Sequence, residues 1–147
     1  MRILAIDAGT LESGYVLYDT TIDEIVDKGI TDNPEMLIMI ENLCFDVLAY
    51  EKIVSFGMAV GQTTLDTCEW NGRFIQVADS KGLSIAPITR RDVKVHLCNS
   101  MMAKDTNIRQ SLLDRFGKDK TKGISKHMWS ALAIAVLCQA REDVWDQ

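Results

Sequence analysis

Three side chains have the types and the settings to do chemistry. Asp7 closes the apolar run RILAI, where an unpaired carboxylate is expensive to bury. Glu51 opens a second apolar run, YEKIVS, directly behind VLAY. His127 begins the largely apolar segment HMWSALAIAV. Each has a plain structural reading: Asp7 as a turn or cap residue beside Gly9, Glu51 as a strand-edge carboxylate, His127 as a cap or core histidine. Their combination is more specific. If the two runs are neighbouring strands and the histidine's helix packs across them, two carboxylates and an imidazole converge at one end of a sheet. Such a set suits a divalent cation, whose charge offsets the repulsion between the carboxylates.

The elements that must place these groups follow from the pattern. Residues 2–7 are apolar without alternation, as in a strand buried on both faces. Residues 14–19 (GYVLYD) and 22–30 (IDEIVDKGI) read as second and third strands, so the opening is an antiparallel meander. Asp32 or Asn33 caps a helix with Pro34 in its first turn. That helix is expected to run to about Ala49, with Met36, Ile40, Leu43 and Val47 on its apolar face. Residues 50–55 read as a fourth strand and 57–61 as a glycine-bracketed loop. A long helix spans 63–81, ended by Gly82, and 83–88 form a fifth strand. Thr89 caps a short helix (RRDVKVHL), and another runs from 105 to 116, stopped by Gly117. After the polar loop KDKTKG, the last helix runs from near Ser125 to about Arg141. It is apolar all round, so it belongs in the interior. The expected fold is α/β: a mixed five-stranded sheet, its first three strands antiparallel, with helices on both faces of a single domain over 1–147.

Composition narrows the class. The chain has 147 residues, enough for one domain with a real core. No apolar run approaches the roughly 18 residues of a membrane span. The start, MRIL, leads into a strand rather than a secretory signal. Cys44, Cys68, Cys98 and Cys138 form no CxxC pair, which argues against a zinc or redox site. They are expected to be reduced, mostly buried thiols of a cytoplasmic protein, in a bacterial cell or a phage-infected host. The net charge of −5 hides an asymmetry. Residues 90–126 carry ten Lys/Arg against four Asp/Glu, while the rest carries six against seventeen. A basic stretch in an acidic chain is either an electrostatic footprint for phosphate or a solvated helical surface.

Several segments resemble RuvC-type Holliday-junction resolvases of the RNase H-like superfamily, in particular their phage-like branch. MRILAIDAGTLESGYVLYD is similar to the opening strand and hairpin of these nucleases, and YEKIVSFGMAVG to their glutamate strand and loop. RRDVKVHL followed by MAKDTNIRQSLLDRFG resembles their basic segment, and HMWSALAIAV their closing helix. The resemblance covers nearly the whole chain. It implies a metal-dependent endonuclease of DNA recombination and repair, acting as a homodimer on branched DNA such as a four-way junction or fork.

The same resemblance assigns Asp7, Glu51 and His127 as catalytic metal ligands, binding Mg2+ or Mn2+ in a two-metal arrangement. Ser130 stands where a fourth carboxylate is usual, which leaves the second metal position open. An imidazole ligand favours manganese over magnesium. Lys94 and Lys104 fall on the family's DNA-contacting lysines, and Arg109 and Lys126 join them as expected phosphate contacts. Phe56 either folds onto the core or stacks on an unpaired base. The helix at 63–81, with Leu65, Cys68, Gly72, Ile75 and Val77, is the expected dimer contact, ordinary core packing being the alternative. Two other functions compete. One is a non-catalytic junction-binding protein that keeps the fold, motivated by Ser130. The other is an actin- or sugar-kinase-like ATPase fragment, since IDAGT followed by SGYVLYD also resembles the first phosphate loop of that superfamily; the chain shows no second glycine-rich loop.

Overall fold

The computed structural model describes residues 1–142; positions 143–147 of the expected domain lie outside the described residues. Five strands make one sheet: β1 (Arg2–Asp7), β2 (Glu12–Asp19), β3 (Glu24–Asp32), β4 (Val47–Glu51) and β5 (Ser84–Ile88). Their spatial order is β3-β2-β1-β4-β5. β1 to β3 form the antiparallel meander that the sequence predicts, and β4 and β5 add in parallel beside β1. Helices α1 (Asn33–Asn42) and α2 (Gln62–Ser80) cover one face. Helices α3 (Arg90–Cys98), α4 (Asp105–Lys120) and α5 (His127–Ala140) cover the other.

The two-residue period of a strand divides β1 between two cores. Leu4 and Ile6 pack with Met36, Ile40 and Phe74. Ile3 and Ala5 pack with Leu112 and residues 131–138 of α5. Burial on both faces is why RILAI shows no alternation. Helix α5 crosses β1 and β2 and is buried along most of its length, which explains its lack of a polar side.

One expected boundary is wrong in an instructive way. Helix α1 stops at Asn42 instead of continuing to about Ala49, and the fourth strand is 47–51 rather than 50–55. Leu43 is already extended. The Lys81 ammonium donates to the carbonyls of Ile40 (2.7 Å) and Leu43 (3.3 Å), which α1 leaves unpaired at its end. Val47, read as part of the helical face, is a strand residue in the core beneath α5. The run VLAY is apolar because β4 lies between β1 and β5, covered on both sides. Glu51 therefore ends β4 rather than opening a strand.

Smaller differences follow from local geometry. β3 begins at Glu24, after Asp23 turns the chain with φ 53°. Gly117 breaks α4 where expected, but helical turns resume to Lys120, so part of the predicted polar loop is helical. The thiols are free as expected but not mostly buried: Cys44 and Cys68 are exposed, Cys98 is intermediate and Cys138 is buried. Cys44 lies in the connection between α1 and β4, and Cys68 on the outward side of α2. Among the described residues no helix is long and apolar enough to cross a membrane.

Candidate functional site

Strand register brings the two carboxylates to one place. β1 and β4 run parallel with Ile6 opposite Tyr50, so the next step along both strands reaches Asp7 and Glu51. Ile3, Ala5, Val47 and Ala49 all belong to the core beneath α5. By the same alternation Asp7 and Glu51 take the α5 side, at the carboxyl ends of adjacent parallel strands.

His127 is the first residue of α5, and its Nδ1 stands 2.8 Å from Oδ2 of Asp7. An ionised carboxylate only accepts hydrogen bonds, so Nδ1 then carries the hydrogen, and in the neutral ring Nε2 keeps its lone pair. Two backbone features allow the approach. Gly14 pairs with Asp7 across β1 and β2, and a Cβ there would lie 2.7 Å from both the carbonyl carbon and the Cβ of His127. Lys126, just before the helix, has φ 48° and ψ −126°, a region that side-chain-bearing residues seldom occupy. One turn further on, Ser130 faces Asp7 closely enough to favour its ionised form slightly.

The loop after Asp7 is pinned from beneath by buried polar groups. Ser13 donates its hydroxyl hydrogen to Oδ1 of Asn33 at 2.6 Å, and Nδ2 of Asn33 donates to the Gly9 carbonyl at 2.9 Å. The Gly9 N–H donates to the Ser13 hydroxyl at 3.3 Å.

The electrostatics are those of a crowded anionic site. Burial pushes the Asp7 carboxyl above its ordinary pKa, against the opposing effects of His127, Arg90 and Ser130. Burial likewise raises that of Glu51, and the negative charges of Asp7 and Asp105 add to it, while Arg90 and His127 oppose. Two oxygen ligands and one nitrogen ligand, with the oxygens desolvated and repelling one another, make a donor set that fits a divalent cation. As placed, no three His, Cys, Asp or Glu side chains among the described residues are clustered tightly enough to hold an ion. The assembled part is the Asp7–His127 pair; Glu51 is coupled to it through charge.

Two clefts flank these groups. The first, about 570 Å³, is lined by Glu51, Phe56, Arg90, Arg91, Lys94 and Met101 among others. The second, about 360 Å³, includes His127, Ser130, Lys126, Arg109 and Asp105. Arg109 lies over the Trp129 ring, 5.3 Å from its centre. Lys104 is exposed just before α4 and lines neither cleft. Phe56 is 75% exposed, so folding back onto the core is excluded. On α2, Leu65, Cys68 and Gly72 face outward, Ile75 is half-buried, and Val77 is half-buried against the core.

Arg90 emerges only from the structure. It pairs with Asp105, lines the first cleft beside Glu51, and lowers the pKa of both Asp7 and Glu51 against the effect of burial. In the sequence it is one of two adjacent arginines after a helix-capping threonine, and nothing local separates it from Arg91.

No protein-family profile and no curated protein sequence matches this chain. Solved structures do match in fold. The Thermus thermophilus RuvC structure aligns with TM-score 0.74 and 14% identity, over 98% of this chain and 96% of that one. The same organism's RuvC in complex with Holliday junction substrate aligns at 0.75 and 16%, over 97% and 96%. The yeast mitochondrial Holliday junction resolvase Ydc2 aligns at 0.61 and 10%, over 91% and 75%. The chain has the RNase H-like fold that its motifs implied. The phage-like branch is not distinguished by these likenesses.

Proposed function

We propose that this protein is a divalent-metal-dependent endonuclease that hydrolyses phosphodiester bonds in branched DNA, in the manner of a Holliday-junction resolvase. The observation that carries the reading is the placement of Asp7 and Glu51 on adjacent parallel strand ends, under the helix whose first residue, His127, bonds Asp7. That pair of raised carboxylates, Asp7 buried and Glu51 half-buried, sits between two clefts lined with arginine and lysine. The fold shared with RuvC, one structure of which holds Holliday junction substrate, supports the choice of DNA.

Asp7, Glu51 and His127 would hold Mg2+ or Mn2+, with manganese preferred because of the imidazole. When bound, such ions supply Lewis acidity toward the scissile phosphate and its attacking water. The protein's own groups do the rest. Arg90, Lys94, Arg109 and Lys126 steady backbone phosphates from the two clefts, with Lys104 at their margin. His127 fixes the orientation of the Asp7 carboxylate. Phe56, exposed on the loop that follows Glu51, is positioned to stack on an unpaired base. A homodimer through the outward face of α2 would set two such sites for paired nicks.

The test is incubation of a labelled four-way junction and a matched linear duplex with the purified protein in Mn2+ or Mg2+. The reading predicts nicks at symmetric positions in the junction, faster in manganese, with little cutting of the duplex. Junction binding without cutting in either metal would overturn it in favour of the non-catalytic junction binder, which Ser130 in place of a carboxylate favours.

A further inference from the structure

Asn71 is an anomaly in the core. It lies on α2, is 6% exposed, and uses only half of its amide. Its Nδ2 donates to the backbone carbonyl of Glu51 at 3.2 Å. Its Oδ1 is buried and accepts no hydrogen bond from any described residue. A buried acceptor left unpaired costs the folded state, and that cost opposes what the bond to the Glu51 carbonyl contributes. The net gain in stability from an asparagine here is therefore small.

What the amide does accomplish is local. β4 ends at Glu51, and the chain then leaves the sheet for the loop carrying Phe56. Beyond Glu51 the backbone is held by one bond to β5, from the Lys52 N–H to the Ile88 carbonyl at 2.8 Å. The Asn71 bond is a second hold, from the helix side of the sheet, on the residue that carries the carboxylate. We propose that Asn71 is a positioning residue for Glu51: it clamps the end of β4 to α2 so that the carboxylate keeps its place beside Asp7. The proposal rests on the reading of Glu51 as a metal ligand. Groups that orient a ligand from behind typically contribute 10- to 100-fold in metal affinity or activity, by roughly the same logic as any outer partner of a metal site.

The experiment compares wild type with Asn71→Leu, which keeps the volume and removes both amide groups, and with Asn71→Ala in case the leucine disturbs packing. Thermal melting, Mn2+ affinity by titration calorimetry, junction affinity and single-turnover cleavage are measured on each. Asn71→Leu should melt close to the wild-type temperature, since one unpaired acceptor is removed and another is left, and should bind the junction equally well. Its Mn2+ affinity and cleavage rate, normalised to folded protein, should fall by about 10-fold or more, and Asn71→Ala should show the same two losses. Wild-type Mn2+ affinity and rate in both variants would overturn the positioning role while leaving the nuclease reading intact. A wild-type protein that neither binds Mn2+ nor cuts would overturn that reading, and this proposal with it.

Discussion

Glu51 and Asp7 are held in a state that water would relieve. Both carboxyls lie above their ordinary pKa, first because they are buried. For a carboxylate raised on folding, the native state binds the extra proton, so stability falls as pH rises from the unfolded pKa through the folded one. Above that window the ionised Glu51 is a net liability to the fold. Replacing it by glutamine removes the charge and keeps the shape. In metal-free buffer at pH 7, Glu51→Gln should stabilise the protein by about 0.5–2 kcal/mol. The gain should vanish as pH is lowered below the ordinary glutamate pKa, which melting curves across pH would show. Destabilisation at pH 7 would mean that the Glu51 carboxylate is a supporting group of the fold. At this scale the sequence was informative where a residue contradicted its surroundings. A carboxylate at the end of RILAI signals a site, whereas Arg90 and Asn71 have ordinary neighbours and acquire their roles only from strands and helices distant in the chain.

Among the elements, α5 and its seat on the sheet matter most. Its first turn reaches Asp7 only because Gly14 has no side chain. The 2.7 Å separation from His127 that a Cβ would have is shorter than packed atoms allow, so any larger residue must displace the helix. Gly14→Ala should destabilise the fold by about 1–3 kcal/mol, as overpacking does. Cleavage per folded molecule should fall as well, since the Asp7–His127 contact opens. Wild-type melting together with wild-type cleavage would show that the helix does not rest there as described. The glycine itself is visible in ESGYVLYD as a weak point in a strand, and a close backbone approach is one of its ordinary meanings. The boundary between α1 and β4 was not legible. Residues 36, 40, 43 and 47 have helical spacing, yet an inner strand covered on both faces is apolar at every position, and no local pattern separates the two. The end of α1 is instead set by Leu43 and by Lys81, which caps the end of α2.

At the scale of the whole molecule, the charge asymmetry along the chain becomes a geometric one. The basic segment 90–126 forms α3, α4 and the approach to α5, and it lines both clefts beside the buried carboxylates. An acidic protein thereby gathers positive charge around two clefts that flank the desolvated carboxylates at the ends of the inner strands β1 and β4. The antiparallel meander and a five-stranded mixed sheet with helices on both faces were readable in advance, whereas the full strand order came from the structure. Which basic side chains reach the clefts was not, since exposure and tilt depend on how the helices pack. The most direct test of the central claim is the Asp7→Asn protein on a four-way junction in Mn2+, with binding and cutting measured side by side. Loss of one buried negative charge should leave junction affinity unchanged or tighter, while cleavage falls to background. Cleavage at a rate near that of wild type would contradict the assignment of Asp7, and with it the site.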